Sequence, residues 1–233
     1  MIINALQTAR KGSKSVPNKN LFEIHGKPLY QHNLHNALQC KLINTVFIST
    51  DIPDIINAEK NVIIRPEHLC GDDASHYDAI LHGLHEIDRR IQSTTEILVI
   101  LLGNAMGFHP TIVDSAIQHM IDNPDIDSCI SVGEFNMFNP YRAYKEVDGY
   151  LTTHISQETI RNINRCKDFN DKNAFSSTLF FNGSFWICRR QAILDKSGLL
   201  HFPWLGKKIK PIHQSPHFQE IDANWQIDVI KNL

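Results

Sequence analysis

The densest reactive chemistry in the chain lies between Ala9 and Asn20, where A-R-K-G-S-K-S-V-P-N-K-N carries four cations and no acid. Arg10, Lys14 and Lys19 could neutralise oxygens whose negative charge rises during phosphoryl transfer. Gly12 permits backbone conformations that turn several N–H groups inward, and Ser13 and Ser15 add hydroxyl donors. Such a loop suits a polyphosphate. Its spacing is neither G-x-x-x-x-G-K-[ST] nor G-x-G-x-x-G, which disfavours a P-loop kinase and a dinucleotide dehydrogenase. By composition alone, a solvated basic loop stays open as the alternative.

A second candidate lies near the C-terminus. Glu220 and Asp222 are separated by a single residue, so in an extended chain their carboxylates fall on one face, as shared ligands of a hard cation must. Spacing by itself favours a solvated strand edge. The 13 histidines include the pairs His32/His35, His82/His85 and His213/His217 at helical spacings. No H-E-x-x-H or mixed Cys/His pattern accompanies them, and they read as structural. Phe202, Trp204 and Trp225 read as core or interface aromatics, because no basic residues are interleaved with them.

The elements that must position these groups alternate along the chain. Strand patterns cover Ile2 to Thr8, Thr45 to Thr50, Val62 to Arg65, Ile97 to Leu102 and Ser128 to Gly133. Between them, Ser75 to Ile91 and Thr111 to Ile121 each carry an apolar stripe of helical period. Ile97 to Leu102 is apolar on both faces, as befits the central strand of a covered parallel sheet. Alternation of this kind predicts an α/β fold built of βαβ units, with the basic loop at the carboxyl end of its first strand, where ligands bind in open α/β sheets. After Pro140 the rhythm changes. Asp148-Gly149 suits the turn of a hairpin between Tyr141 to Val147 and Tyr150 to Ile155, and the cation-bearing stretch Ser156 to Lys172 reads as a mobile excursion near the site. Phe180 to Cys188 reads as a strand, Arg190 to Lys196 as a short helix and Trp225 to Leu233 as a closing helix.

Composition sets the frame. With 23 basic against 25 acidic residues, a net charge of -2 and 42% hydrophobic residues in 233, one ordinary domain spanning residues 1–233 is expected. Nothing in that balance draws the whole molecule to nucleic acid or to a membrane. Five scattered cysteines without a C-x-x-C pair read as thiols in a reducing compartment. The opening Met1 to Leu6 lacks the pattern of a leader, so a cytoplasmic location is expected.

The basic loop, followed by Leu21 and then Gly26-Lys27-Pro28-Leu29, closely resembles the opening of the acylneuraminate cytidylyltransferases. The resemblance continues through Ile48-Ser49-Thr50-Asp51, Arg65-Pro66-Glu67-His68-Leu69-Cys70-Gly71-Asp72, Asn182-Gly183 before Phe185-Trp186-Ile187, and Glu220-Ile221-Asp222. It implies a Rossmann-like three-layer fold with a mainly parallel central sheet and a β-hairpin excursion. It implies CTP and an acidic nonulosonic sugar as substrates, Mg²⁺ as cofactor, and a homodimer bridged by residues 141–172. On that basis Arg10, Lys14 and Lys19 grip the triphosphate, with Ala9, Gly12 and Ser13 in the same loop. Asn20 and Arg65 contact the cytidine part, and Asp72 and Ser75 border its pocket. Asn104, Arg142 and Asn182 lie on the sugar side, and Glu220 with Asp222 hold Mg²⁺.

The chain departs from the family pattern on the sugar side. Gly103 and His109 stand where a Gln and an Arg are usual, Phe180 where an Arg often stands, Glu220 for an Asp and Ala223 for a Thr. Loss of a bidentate cation and of an amide predicts a preference for deoxygenated acceptors, with Met106 and Phe108 offering apolar surface.

Overall fold

The computed structural model describes residues 1–12, 16–164, 170–171, 174–215 and 220–231. Its frame is a seven-stranded sheet. β1 (Ile3–Ala9) lies between β6 (Ile97–Leu102) and β4 (Thr45–Thr50), and β5 (Val62–Ile64) forms the edge beyond β4, all parallel. On the other side β10 (Leu179–Arg189) runs antiparallel to both β6 and β7 (Ser128–Glu134), and β11 (Ile209–His213) closes the second edge parallel to β7. A two-residue pair, β2 (Glu23–Ile24) and β3 (Lys27–Pro28), follows the basic loop. The excursion hairpin, β8 (Tyr144–Val147) and β9 (Tyr150–Thr153), forms a sheet of its own, with Asp148 and Gly149 both at positive φ as its turn requires.

Side-chain alternation along the strands sorts the core into two layers. On β6, Ile97, Val99 and Leu101 point into one cluster while Leu98, Ile100 and Leu102 point into the other. The first layer is roofed by α1 (Leu29–Leu38), α2 (Pro53–Ala58) and α4 (Pro110–Asp122), the second by α3 (His76–Ile91) and α6 (Arg190–Asp195). The fold is therefore the three-layer α/β arrangement expected from the sequence. Beyond it lie α5 (Gln157–Ile163), inside the stretch read as a mobile excursion, and α7 (Asn224–Lys231).

A third cluster positions the site. Val16, within the basic loop, and Ile24, just after it, pack with Leu29 against Ile221, Ile227 and Ile230 of the C-terminal segment. Burial of these apolar side chains brings the end of the chain against its beginning. Lys19 and Asp222 meet for that reason, 203 residues apart in sequence.

Candidate active site

The carboxyl ends of β1 and β6 and the residues after β5 open into a cleft of about 1030 Å³. Arg10, the first residue after β1, donates to Cys70 O at 3.0 Å and pairs with Asp72 at 2.9 Å. Asn20, buried, returns from the far end of the loop and donates to Arg10 O at 2.9 Å, closing the loop on itself. Gly12 adopts φ +85°, a conformation few other residues would hold. Ala9, the last residue of β1, is buried beneath the loop. Ser13 and Lys14 lie outside the described residues. Lys11 N donates to Asp51 at 2.7 Å, tying the loop to the end of β4.

Arg65 follows β5 and is almost wholly buried, donating to Ser49 O at 3.1 Å and Ser49 Oγ at 3.3 Å. Burial is the main cause that lowers its pKa, with the nearby Arg10 charge acting in the same sense. Ser75 precedes α3 at its N-cap position without a side-chain capping bond and lines the cleft. The next residue, His76, was not singled out from sequence. Its Nε2 lies 3.0 Å from Thr8 Oγ1, its ring packs on Trp186 at 5.7 Å, and burial followed by Arg65 pushes its pKa down to about 4. At neutral pH it is an uncharged hydrogen-bonding group in the cleft wall.

Across the cleft stand the acids. The segment after β6 pairs with the C-terminal segment through an Ala105–Glu220 bridge, and Ile221 N donates to Asn104 O at 2.7 Å. Asn104 Nδ2 reaches Ile221 O at 3.2 Å and Asp222 Oδ1 at 3.4 Å. Lys19 Nζ holds Asp222 Oδ1 at 2.7 Å. Burial and then the Asp222 charge raise the Glu220 pKa, while Lys19 and Asn104 oppose the rise. A carboxyl pushed up by a second carboxylate is relieved by a cation placed between them, so this pair fits a hard divalent ion. Among the described residues no group of three His, Cys, Asp or Glu side chains could hold a metal. Two protein carboxylates suit Mg²⁺, which keeps its remaining positions for water and substrate phosphates.

Gln226 is a second residue that sequence reasoning missed. From the first turn of α7 its Oε1 accepts from Asp222 N and Ala223 N, each at 2.7 Å, and its Nε2 donates to Glu220 O at 2.9 Å. Gln at the third helical position reaching back to the helix start is the signal that could have found it.

Other expected positions are not brought to the cleft. Arg142 ends a short turn at Pro140–Arg142 and is not among the cleft-lining residues. Asn182 is buried in the β10 bulge, its Oδ1 accepting from Ser184 N at 3.2 Å. His109 caps α4 through Thr111. Phe108 packs edge-on against Phe185 in the core, and Met106 packs against the third cluster, so neither offers surface to a sugar. Of the aromatics read as core or interface residues, Phe202 packs against the second cluster and also lines the cleft, Trp204 is buried and Trp225 is exposed.

The basic loop and the strand ends of the cleft fall within a segment of the chain that matches a known family. The sequence signature of that family, described as Cytidylyltransferase, covers residues 5–183. The chain belongs to the cytidylyltransferase family. Among curated relatives, the bifunctional "Pseudaminic acid cytidylyltransferase and UDP-2,4-diacetamido-2,4,6-trideoxy-beta-L-altropyranose hydrolase" of Helicobacter pylori is 26% identical over 150 residues, 62% of this chain and 28% of that protein. N-acylneuraminate cytidylyltransferase A of Danio rerio is 25% identical over 232 residues, 97% of this chain and 49% of its own length. This family member thus spans half or less of these relatives. Among solved structures, a CMP:2-keto-3-deoxy-manno-octonic acid synthetase complexed with CTP superposes with a TM-score of 0.67 at 17% identity, covering 100% of this chain and 98% of that one. That likeness shows a shared fold. No helix among the described residues is long and apolar enough to cross a membrane.

Proposed function

We propose that the protein transfers CMP from CTP to an acidic nonulosonic sugar with release of pyrophosphate. The observation that supports the reading is the Lys19–Asp222 contact at 2.7 Å, a cation of the basic loop beside a carboxylate of the C-terminal segment in one cleft. The acceptor hydroxyl oxygen bonds to the α-phosphorus as the bond to pyrophosphate breaks, and the hydroxyl proton passes to solvent. Arg10 and Lys19 exchange their carboxylate partners for phosphate oxygens, while Arg65, Asp72 and Ser75 border the nucleoside. Glu220 and Asp222 would hold Mg²⁺, which when bound would supply positive charge to the transferring phosphate. Asn104 and Gln226 keep those two acids in place. No protein nucleophile is needed, because positioning and charge supply the acceleration.

The named activities of the relatives above, on pseudaminic and N-acylneuraminic acids, support this choice of acceptor. Pyrophosphate release over a matrix of nucleoside triphosphates and acidic sugars, with Mg²⁺, tests it. CTP with a nine-carbon acidic sugar is expected to give the fastest release. Fastest release with 3-deoxy-manno-octulosonate would move the acceptor to that eight-carbon acid, and no release with any pair would leave a sugar-nucleotide-binding protein. A homodimer, bridged by the β8–β9 hairpin, is part of the same reading. The exposed Tyr144, Tyr150 and Leu151 on that hairpin support it, and sedimentation of a variant lacking 144–153 tests it.

A further inference from the structure

The Glu220 side chain stands in a slot between two short segments. On one side is the stretch after β6, where Ala105 bridges Glu220 and Asn104 bonds Ile221 through both its backbone oxygen and its side-chain amide. On the other side is the β10 bulge. Gly183 there adopts φ +75°, and a Cβ at that position would lie 3.1 Å from Glu220 Cβ and 3.5 Å from Glu220 Cδ. Bare backbone is therefore the second wall of the slot. A glutamate turns about one more bond than an aspartate before its carboxylate, so its head group keeps one position only where both flanks are walled.

The two walls do not share a ladder. β10 pairs with β6 from Trp186 onward, and the bulge between Phe181 and Trp186 takes Asn182, Gly183 and Ser184 out of register. Asn33, on α1, spans the gap. Its Oδ1 accepts from Gly107 N at 3.2 Å and its Nδ2 donates to Ser184 O at 3.3 Å. One side chain thus holds a backbone group from each wall, 74 and 151 residues away in sequence. Asn33 is fully buried, where an amide is tolerated only with its polar ends bonded, and this bridge satisfies both. One turn further along α1, Asn36 donates to Phe108 O at 2.9 Å and so bonds the first segment but not the second.

We propose that Asn33 is a positioning residue for Glu220, setting the width of the slot between Ala105 and Gly183 and through it the cleft's affinity for a divalent ion. The proposal rests on the metal role given to Glu220 in the cytidylyl-transfer reading and adds a residue to it. Without the amide, Gly107 N and Ser184 O each lose a partner inside the protein, and the two segments shift to find others. The slot then widens, and the Glu220 carboxylate is free to turn away from Asp222. An ion that two carboxylates shared is left with one, which is how loss of a contact behind a metal ligand reaches the metal.

Mn²⁺ titrated alone into the folded proteins, and followed by its electron paramagnetic resonance signal, reads the affinity without nucleotide or turnover. Asn33→Ala is expected to weaken binding by about tenfold, and Asn33→Ser, whose hydroxyl can still donate and accept, by less. Asn36→Ala is the control for general loosening of α1 and should stay within about twofold of the parent. Parent-like binding in Asn33→Ala overturns the proposal, and so does equal weakening in Asn36→Ala, which would reduce Asn33 to support of the helix. If Asn33→Ala does not fold, Gly183→Ala crowds the same slot from its other wall, and parent-like binding in that variant overturns the proposal instead. A parent that takes up no Mn²⁺ overturns it as well. Pyrophosphate release decides the transfer reading separately, so a parent that binds Mn²⁺ but releases none with any acidic sugar loses that reading while the titrations still decide the role of Asn33.

Discussion

Replacing Lys19 with Ala separates a catalytic role for its charge from a structural one. The Lys19 side chain is 18% exposed and its partner Asp222 is 55% exposed, so the pair sits in a screened, high-dielectric setting. Coulomb attraction there is about 1 kcal/mol, largely offset by the cost of ordering two side chains, leaving about 0.2–1 kcal/mol of net stability. For a chain of this size that lowers Tm by less than about 4 °C. The same ammonium aimed at phosphate oxygens that gain charge in the transition state is worth much more, a loss of about 10²–10³-fold in kcat. A further consequence follows from its position. Without Lys19, Asp222 and Glu220 keep their mutual repulsion and lose the cation that competes for them, so Mg²⁺ binding in the absence of nucleotide should tighten by about fivefold, the equivalent of about 1 kcal/mol. Differential scanning calorimetry, pyrophosphate-release kinetics and isothermal titration with Mg²⁺ measure the three effects. Asp222→Asn is the control, expected to weaken Mg²⁺ binding and catalysis together. Near-parent turnover in a folded Lys19→Ala protein would refute the assignment, and so would weaker metal binding in that variant.

Three further outcomes are expected. Gln226→Ala removes the acceptor shared by the Asp222 and Ala223 amides, and should raise the Mg²⁺ concentration required for half-maximal rate by about tenfold, as loss of an outer contact to metal ligands does. Gln226→Glu, which keeps the acceptor oxygens, should restore part of it, and parallel Mg²⁺ titrations of both variants check this. His76 has a folded pKa of about 4 against an ordinary 6.5, so its contribution to stability is complete above pH 6.5 and lost as pH falls toward 4, by about 2–3 kcal/mol. Chemical denaturation of the parent and of His76→Gln across that window should show the slope shrinking in the variant. Gly103→Ala places a Cβ 2.8 Å from Ala9 Cβ, 3.0 Å from Asn20 Oδ1 and 3.2 Å from Thr8 O, which should cost about 1–3 kcal/mol of stability. Displacement of Asn20 should raise the KM for CTP in the same variant, and unchanged stability with unchanged KM would show that the loop yields freely.

The sequence alone determined those features whose signals are local. Ile97–Leu102 was apolar at every position and became the doubly covered strand β6, because a strand buried on both faces has no polar side to show. Asp148-Gly149 specified its hairpin because only a few residue types accept two consecutive left-handed conformations. The basic loop was legible because twelve residues with four cations leave few other uses for them. Elements with mixed signals were not read. Helix α1 buries Asn33 among Leu29, Leu34 and Ala37 and begins after Pro28 rather than a hydroxyl or carboxylate cap, so neither its stripe nor its start stood out. Strand β11 carries Pro211 at a sheet edge, where a missing N–H costs little but erases the strand pattern. Tertiary structure alone decided which distant groups meet. Burial of Ile221, Ile227 and Ile230 against Val16 and Ile24 brings Asp222 to Lys19, and the β10 register, set by a bulge, turns Phe181 into the cleft while sinking Asn182 beside it. Contacts of that kind depend on how layers pack over long sequence separations, and no spacing along the chain encodes them.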